Sequence, residues 1–195
     1  LAYDALETDD PAEAVRLVNA ALVLDPNCTD AERLMVSILP MDNDSRLRLL
    51  RELVSKTEQN IGEDFFTENM GHFWGILETR PYMRARQHLG EFLVQQGRFA
   101  DAIQVYERII ELNSKDNLGT RFPLLGLYLA HSQTERANRL FEQFPDDERF
   151  LAGFAWARVL QRWLAGDLPQ ARAALVSARK VNPYAERYVS GRKAI

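Results

Sequence analysis

The chain contains a repeat whose clearest marker is an alanine that recurs about every 34 residues. Ala102, Ala137 and Ala171 are separated by 35 and 34 positions. A fourth segment near the start, around Ala14, repeats the same apolar register. Each alanine lies among apolar residues spaced as on one face of an α-helix. A repeat of about 34 residues with this apolar register is typical of a recurring helical hairpin.

Residues 83–116 show the register of one unit most clearly. The marker positions, in the order leucine, small, large, alanine, aromatic and apolar, are Leu89, Gly90, Leu93, Ala102, Tyr106 and Ile109. This order matches the tetratricopeptide pattern, in which small residues let two helices approach closely. Gly97 is expected to end the first helix, because glycine accepts the left-handed conformation. We therefore predict an all-α fold, an α-α superhelix of tetratricopeptide-like helical hairpins without any sheet.

Apolar periodicity and capping residues place the helices along the chain. We predict them at about 11–24, 30–39, 45–60, 80–96, 100–112, 117–131, 134–144, 148–165 and 169–181, with a short piece near 184–190. Pro123 falls inside one of them, where we expect a kink or an irregular first turn. We divide the array into degenerate N-terminal hairpins (1–60), a non-repeat insertion (61–79) and three repeats with a C-terminal cap (80–195).

Three motifs resemble one known family. They are ENMGHFWGILETRPYMRAR (68–86), LNSKDNLGTR (112–121) and NPYAERYVSGRK (182–193). Together they resemble a bacterial family of tetratricopeptide-like proteins related to the suppressor-of-tumorigenicity-seven group, some of which carry a C-terminal SEC-C zinc motif. The resemblance covers about residues 60–195 and implies a helical repeat fold and an interaction role, with no agreed enzymatic activity. No cysteine follows Cys28, so the zinc motif is absent here.

The motif residues that we take as a structural signature are Gly71, His72, Phe73, Trp74, Glu78, Arg80, Pro81, Asp116, Asn117 and Arg121. Within the first motif we expect Phe73, Trp74 and Leu77 to be mostly buried against the helix that begins near Pro81. Burial of such large side chains would make this segment a joint between hairpins. The alternative is an exposed aromatic patch that receives a partner.

The sequence offers little for catalysis or metal binding. Its histidines lack metal-ligand spacing, and Cys28 is the single cysteine. No GxSxG nucleophile motif or glycine-rich phosphate loop occurs. The acid–base pairs that can be imagined, His72 with Glu78 and Asp116 with Arg121, are more readily explained as caps or salt bridges. We therefore predict no enzymatic activity, no metal and no cofactor.

Charge is distributed unevenly. The net charge of −4 combines −6 for residues 1–60, −3 for residues 61–120 and +5 for residues 121–195. The basic end does not by itself indicate nucleic-acid binding, because the isoelectric point is near 5.5. No apolar run approaches the ~20 residues needed to span a bilayer. A single cysteine suits a reducing compartment, so we expect a cytoplasmic protein. Since the chain begins at Leu1, we also expect a piece of a longer protein.

These observations predict a scaffold that binds a protein or peptide, with homodimerisation as the alternative. In tetratricopeptide arrays the first helix of each hairpin lines the concave surface. That register gives the groove residues Arg84, Gln87, His88, Glu91, Phe122, Gly126, Trp156, Leu160 and Trp163, with Leu129 on the same face as Phe122. The alternative for Trp156 and Trp163 is that both side chains pack in the core against the following helix, and the spacing favours neither alternative. If His88 lies near Arg84, its protonation is disfavoured.

Overall fold

The computed structural model describes residues 1–193. They form α1 (Ala2–Glu7), α2 (Pro11–Leu24), α3 (Thr29–Ile38), α4 (Asn43–Ile61), α5 (Glu63–Glu68), α6 (Arg80–Gln95), α7 (Phe99–Leu112), α8 (Arg121–Ala130), α9 (Thr134–Gln143), α10 (Asp147–Phe150), α11 (Ala152–Leu164), α12 (Leu168–Val181) and α13 (Ala185–Val189). Two 3-10 turns, Phe73–Gly75 and Leu77–Thr79, precede α6. Among these residues no strand forms, and one isolated bridge joins His72 to Asn113. The all-α prediction is confirmed.

Two predicted helices differ from the structure. The one predicted at 117–131 begins only at Arg121, because Asp116 and Gly119 both have positive φ, 47° and 71°, which a helix does not allow. Pro123 is thus the third residue of α8, in the first turn, where its missing N–H requires no kink. The segment predicted at 148–165 is two helices, since the backbone of Leu151 is extended. The sequence reading also missed α1 and α5.

Internal contacts divide the chain into two units, Leu1–Thr120 and Arg121–Ile195. In the first unit, α2 packs against α1 and α3, while α6 packs against α3, α4 and α7. In the second, α11 packs against α8, α9, α10 and α12. The segment that we set apart as an insertion, 61–79, lies within the first unit, with α5 against α4 and the 3-10 turns against α6.

A close helix–helix contact organises the core of the first unit. Gly90 on α6 faces the ring of Tyr106 on α7, and both residues are buried. Ala102 is fully buried on the same helix as Tyr106. Gly97 ends the α6 region with φ 70°, and the Arg98 N–H donates to the Leu93 carbonyl at 2.9 Å. The expected close approach and the expected glycine stop are therefore both confirmed.

The core of the second unit is built on aromatic rings. Phe154 of α11 packs edge-to-face on Phe141 of α9, with ring centroids 5.6 Å apart. The Arg158 guanidinium lies 3.8 Å from the centroid of the Phe141 ring and forms an ion pair with Glu148. The marker alanines Ala137 and Ala171 are buried. This core fixes the face of α11 that points inward, and so also the face that remains outside.

Candidate functional site

The first signature motif (68–86) packs against the start of α6 through Phe73 and Thr79. Phe73 is fully buried, with its ring centroid 4.8 Å from that of Phe66 and 6.2 Å from that of Tyr82. The buried Thr79 hydroxyl donates to the Phe73 carbonyl and lies 3.0 Å from the carbonyl oxygen of Ile76. The expected burial of Phe73 is confirmed, and its role is to anchor this segment in the first unit.

The neighbours of Phe73 are less buried than expected. Trp74 is half-buried, with the Arg80 guanidinium 5.2 Å from its ring centroid and the Arg80 Nε donating to its carbonyl at 2.9 Å. Leu77 is 66% exposed, so its predicted burial is wrong. A 3-10 turn has three residues per turn, so only one residue of Leu77–Thr79 can face the core, and that residue is Thr79.

The same segment is tied to the loop that follows α7. The backbone N–H and the hydroxyl of Ser114 both donate to the Gly71 carbonyl at 3.2 Å. Asp116 is buried and accepts the Thr120 N–H at 2.8 Å. Of the remaining signature residues, Pro81 occupies the first turn of α6, whereas the side chains of His72, Glu78 and Asn117 are exposed. Arg121, in the second unit, forms an ion pair with Asp147 at 2.5 Å.

The polar residues predicted for the groove are held by neighbours in the first unit. Arg84 forms an ion pair with the buried Asp30, with Nε donating to Oδ1 at 2.9 Å, and it also donates to the Tyr3 hydroxyl at 3.1 Å. Glu91 accepts a hydrogen bond from Gln87, and burial raises the pKa of its carboxyl group. Arg84 and Glu91, which were expected to meet a ligand, thus each already have a partner within this chain.

His88 is half-buried in the same region. Burial, with added repulsion from the Arg33 and Arg46 guanidinium groups, lowers the pKa of His88 to about 4. Its Nδ1 is buried without a hydrogen-bond partner. Disfavoured protonation was expected, but from Arg84, whose charge is in fact paired with Asp30. The imidazole is neutral at pH 7.

An apolar groove lies between α11 and α12 in the second unit and encloses about 610 Å³. Its lining residues are Leu129, Gly153, Trp156, Ala157, Val159, Leu160, Trp163, Leu168, Ala171, Arg172 and Leu175. Trp163 is 59% exposed and Leu160 is 43% exposed. Trp156 is half-buried, and its indole N–H is buried without an acceptor. Large apolar side chains clustered and exposed in this way are typical of a binding surface.

Helical spacing explains why these side chains meet. Trp156, Leu160 and Trp163 follow one another at i, i+4 and i+7 on α11, which places them on one face. On α12, Leu168, Arg172 and Leu175 have the same spacing. Gly166, with φ 78°, ends α11. The Asp167 side chain then accepts the Gln170 N–H at 3.1 Å and starts α12. The two rows therefore border a single groove.

Three of the nine predicted groove residues come together here, Trp156, Leu160 and Trp163, and Leu129 joins them. Phe122 is 44% exposed and packs edge-on against Phe154, while Gly126 is exposed on the same helix. Neither lines this groove. The predicted binding surface from Arg84 to Trp163 would extend over both units, and it stays a prediction.

The α12 side of the groove, with Leu168, Arg172 and Leu175, was missed by sequence reasoning. The sequence pattern that could have indicated it is the i, i+4, i+7 spacing of these three residues. Arg172 is the one ionisable side chain of the lining. It is exposed, and it forms no ion pair with a carboxylate of residues 121–193. The groove is thus almost wholly apolar with one cation at its border.

Other kinds of site find less support. Within residues 1–193, no three histidine, cysteine, aspartate or glutamate side chains are grouped so that they could hold a metal ion. In the same part of the chain, every helix is too short or too polar to cross a membrane. Comparison with protein-family models and with curated proteins found no match to this chain.

Proposed function

We propose that this chain is a non-catalytic, tetratricopeptide-like scaffold that binds a protein segment in the groove between α11 and α12. The observation that carries the proposal is the exposure of Leu160 and Trp163 side by side in a groove of about 610 Å³. Water is released when a partner covers such a surface, and aromatic side chains are common anchors of protein interfaces.

The chemistry of the lining supports binding over catalysis. General acid–base or nucleophilic catalysis needs several ionisable or nucleophilic groups that converge on one point. The groove has Arg172 alone. The close contact of Gly90 with Tyr106, together with the buried alanines that mark each repeat, supports the tetratricopeptide-like assignment of the hairpins.

Affinity capture from the source cell with three versions of the chain as bait tests this function. Leu160→Asp places a charge in the groove and should abolish capture of the specific partners. Val176→Asp is the matched control, because Val176 is 53% exposed on α12 but does not line the groove. Thermal melting of all three baits verifies that folding is unchanged. If the three baits retain the same proteins, the groove is not the binding site and the proposal fails.

A further inference from the structure

We infer that the occupant of the groove between α11 and α12 is an amphipathic α-helix of a partner protein, with an acidic residue placed against Arg172. The inference rests on the proposed function and narrows it to one kind of ligand. It follows from the polarity of the lining, from the arrangement of the two apolar rows and from the charge of the second unit.

The apolar lining of the groove favours a ligand with a helical backbone. Ten of the eleven lining residues have side chains that are apolar or, in the two tryptophans, carry only an indole N–H. Most of the main chain that borders the groove belongs to the interior turns of α11 and α12, where N–H and C=O groups bond within each helix. An extended peptide buried here would lose water from its own N–H and C=O groups without replacement, which is unfavourable for each group. A helix satisfies these groups internally, so only its side chains must fit.

The shape and length of the groove agree with a helical ligand. Rows at i, i+4 and i+7 on neighbouring helices form ridges, and a third helix packs its own side chains between such ridges. The α11 helix has 13 residues, so the groove is about 20 Å long at 1.5 Å per residue. A ligand of roughly four turns would cover Trp156, Leu160 and Trp163 with apolar residues at matching spacing.

The positive charge of the second unit favours an acidic ligand. Residues 121–195 carry 12 basic and 7 acidic residues. Three of the acids already pair with arginines away from the groove lining, in Arg121–Asp147, Arg158–Glu148 and Arg179–Glu186. Arg172 has no carboxylate partner among residues 121–193. A glutamate or aspartate on the ligand helix would form a bidentate pair with its guanidinium group.

The same charge disfavours a second copy of this chain as the occupant. A two-fold symmetric dimer places the same surface on both sides of the interface. Two units with a net charge of +5 would then face each other, and both Arg172 side chains would lie within the same interface. A partner of opposite charge avoids this repulsion and gains attraction.

A display selection with the whole chain tests the inference. The probe is a library of random peptides about 16 residues long, roughly four turns of helix. Binders are retained if they bind the native chain and Val176→Asp but not Leu160→Asp. We expect the retained peptides to have apolar residues at i, i+3/i+4 and i+7, to contain glutamate or aspartate, and to become helical on binding by circular dichroism. Retained peptides that are extended, proline-rich or basic would overturn the inference and leave the proposed function standing.

Charge reversal gives the sharper test. With the best acidic peptide, Arg172→Glu should weaken binding by about tenfold or more, measured by fluorescence anisotropy. The same peptide with its acidic residues replaced by lysine should prefer the variant. Equal affinities for both proteins would rule out the acidic contact. If no peptide shows binding that depends on Leu160, the inference and the proposed function both fail. A dimer in light scattering that Leu160→Asp dissociates would identify a second copy as the occupant instead.

Discussion

Gly90 and Tyr106 are in direct contact across the α6–α7 hairpin. A Cβ atom added to Gly90 would lie 2.4 Å from Cε1 and 2.9 Å from Cδ1 of the Tyr106 ring. Real side chains do not approach this closely, and Tyr106 is buried, so its ring cannot easily move aside. The distance between the two helices is therefore set by the absence of a side chain at position 90.

Replacing Gly90 by alanine should lower the free energy of unfolding by about 1–3 kcal/mol, because the new methyl group must displace a buried ring. Urea denaturation followed by circular dichroism measures this loss. Gly126→Ala is the control: Gly126 lies within α8 and has no atom within 4 Å of the added Cβ. There alanine should stabilise by up to ~1 kcal/mol through its higher helix propensity. Equal effects at the two positions would show that Gly90 is not packed as described.

Phe73→Ala should lower the free energy of unfolding by about 3–5 kcal/mol, since a fully buried ring leaves a cavity among Phe66 and Tyr82. Leu77→Ala, four residues later in the same segment, should change it by less than ~0.5 kcal/mol because Leu77 is exposed. Thermal melting of the two variants beside the parent chain makes the comparison. If Leu77→Ala proved the more damaging, the burial pattern of this segment would be wrong.

The hairpins could be predicted because their markers depend on local packing. Small residues such as Ala102 and Ala137 are buried where paired helices pack closely, so an alanine recurs at each of these positions. The start of α8 could not be predicted, because it depends on Asp116 adopting a positive φ, a conformation that few non-glycine residues take. The exposure of Leu77 was missed for a similar reason, since apolar spacing does not reveal a 3-10 turn.

The sequence predicted the α11 side of the groove but not the α12 side. Periodicity placed Trp156, Leu160 and Trp163 on one face of α11, but it could not distinguish a core face from an exposed one. The i, i+4, i+7 spacing of Leu168, Arg172 and Leu175 marks one face of α12, but whether that face borders the row on α11 depends on how the two helices pack. Arg172 belongs to the basic residues 121–195, and the net charge of that region does not reveal that this side chain borders an apolar surface.

The ion pair of Asp30 with Arg84 yields a third prediction. Asp30 is buried and Arg84 is half-buried, so Asp30→Asn leaves a poorly hydrated guanidinium group without its partner. We expect a loss of about 3 kcal/mol in unfolding free energy, measured by urea denaturation. The matched control is Glu13→Gln, which breaks an ion pair with the exposed Arg16 and should cost far less, because solvent screens exposed charges. Similar losses for both variants would mean that burial adds nothing to the Asp30–Arg84 pair.

His88 should make stability depend on pH. Burial beside Arg33 and Arg46 lowers its pKa in the folded chain from 6.5 to about 4. Between these values the unfolded chain binds a proton that the folded chain does not, so unfolding becomes easier as the pH falls. The contribution of His88 is therefore present above pH 6.5, is lost progressively toward pH 4 and changes no further below that.

Replacing His88 by glutamine should flatten the decline of melting temperature between pH 7 and pH 4.5, because the variant has no proton to gain at this position. Glu91 acts in the opposite direction: burial raises the pKa of its carboxyl group, so the folded chain takes up a proton there more readily than the unfolded chain. Measuring His88→Gln in the Glu91→Gln background separates the two effects. An unchanged pH profile in that background would show that His88 protonates as easily in the folded chain as in the unfolded one.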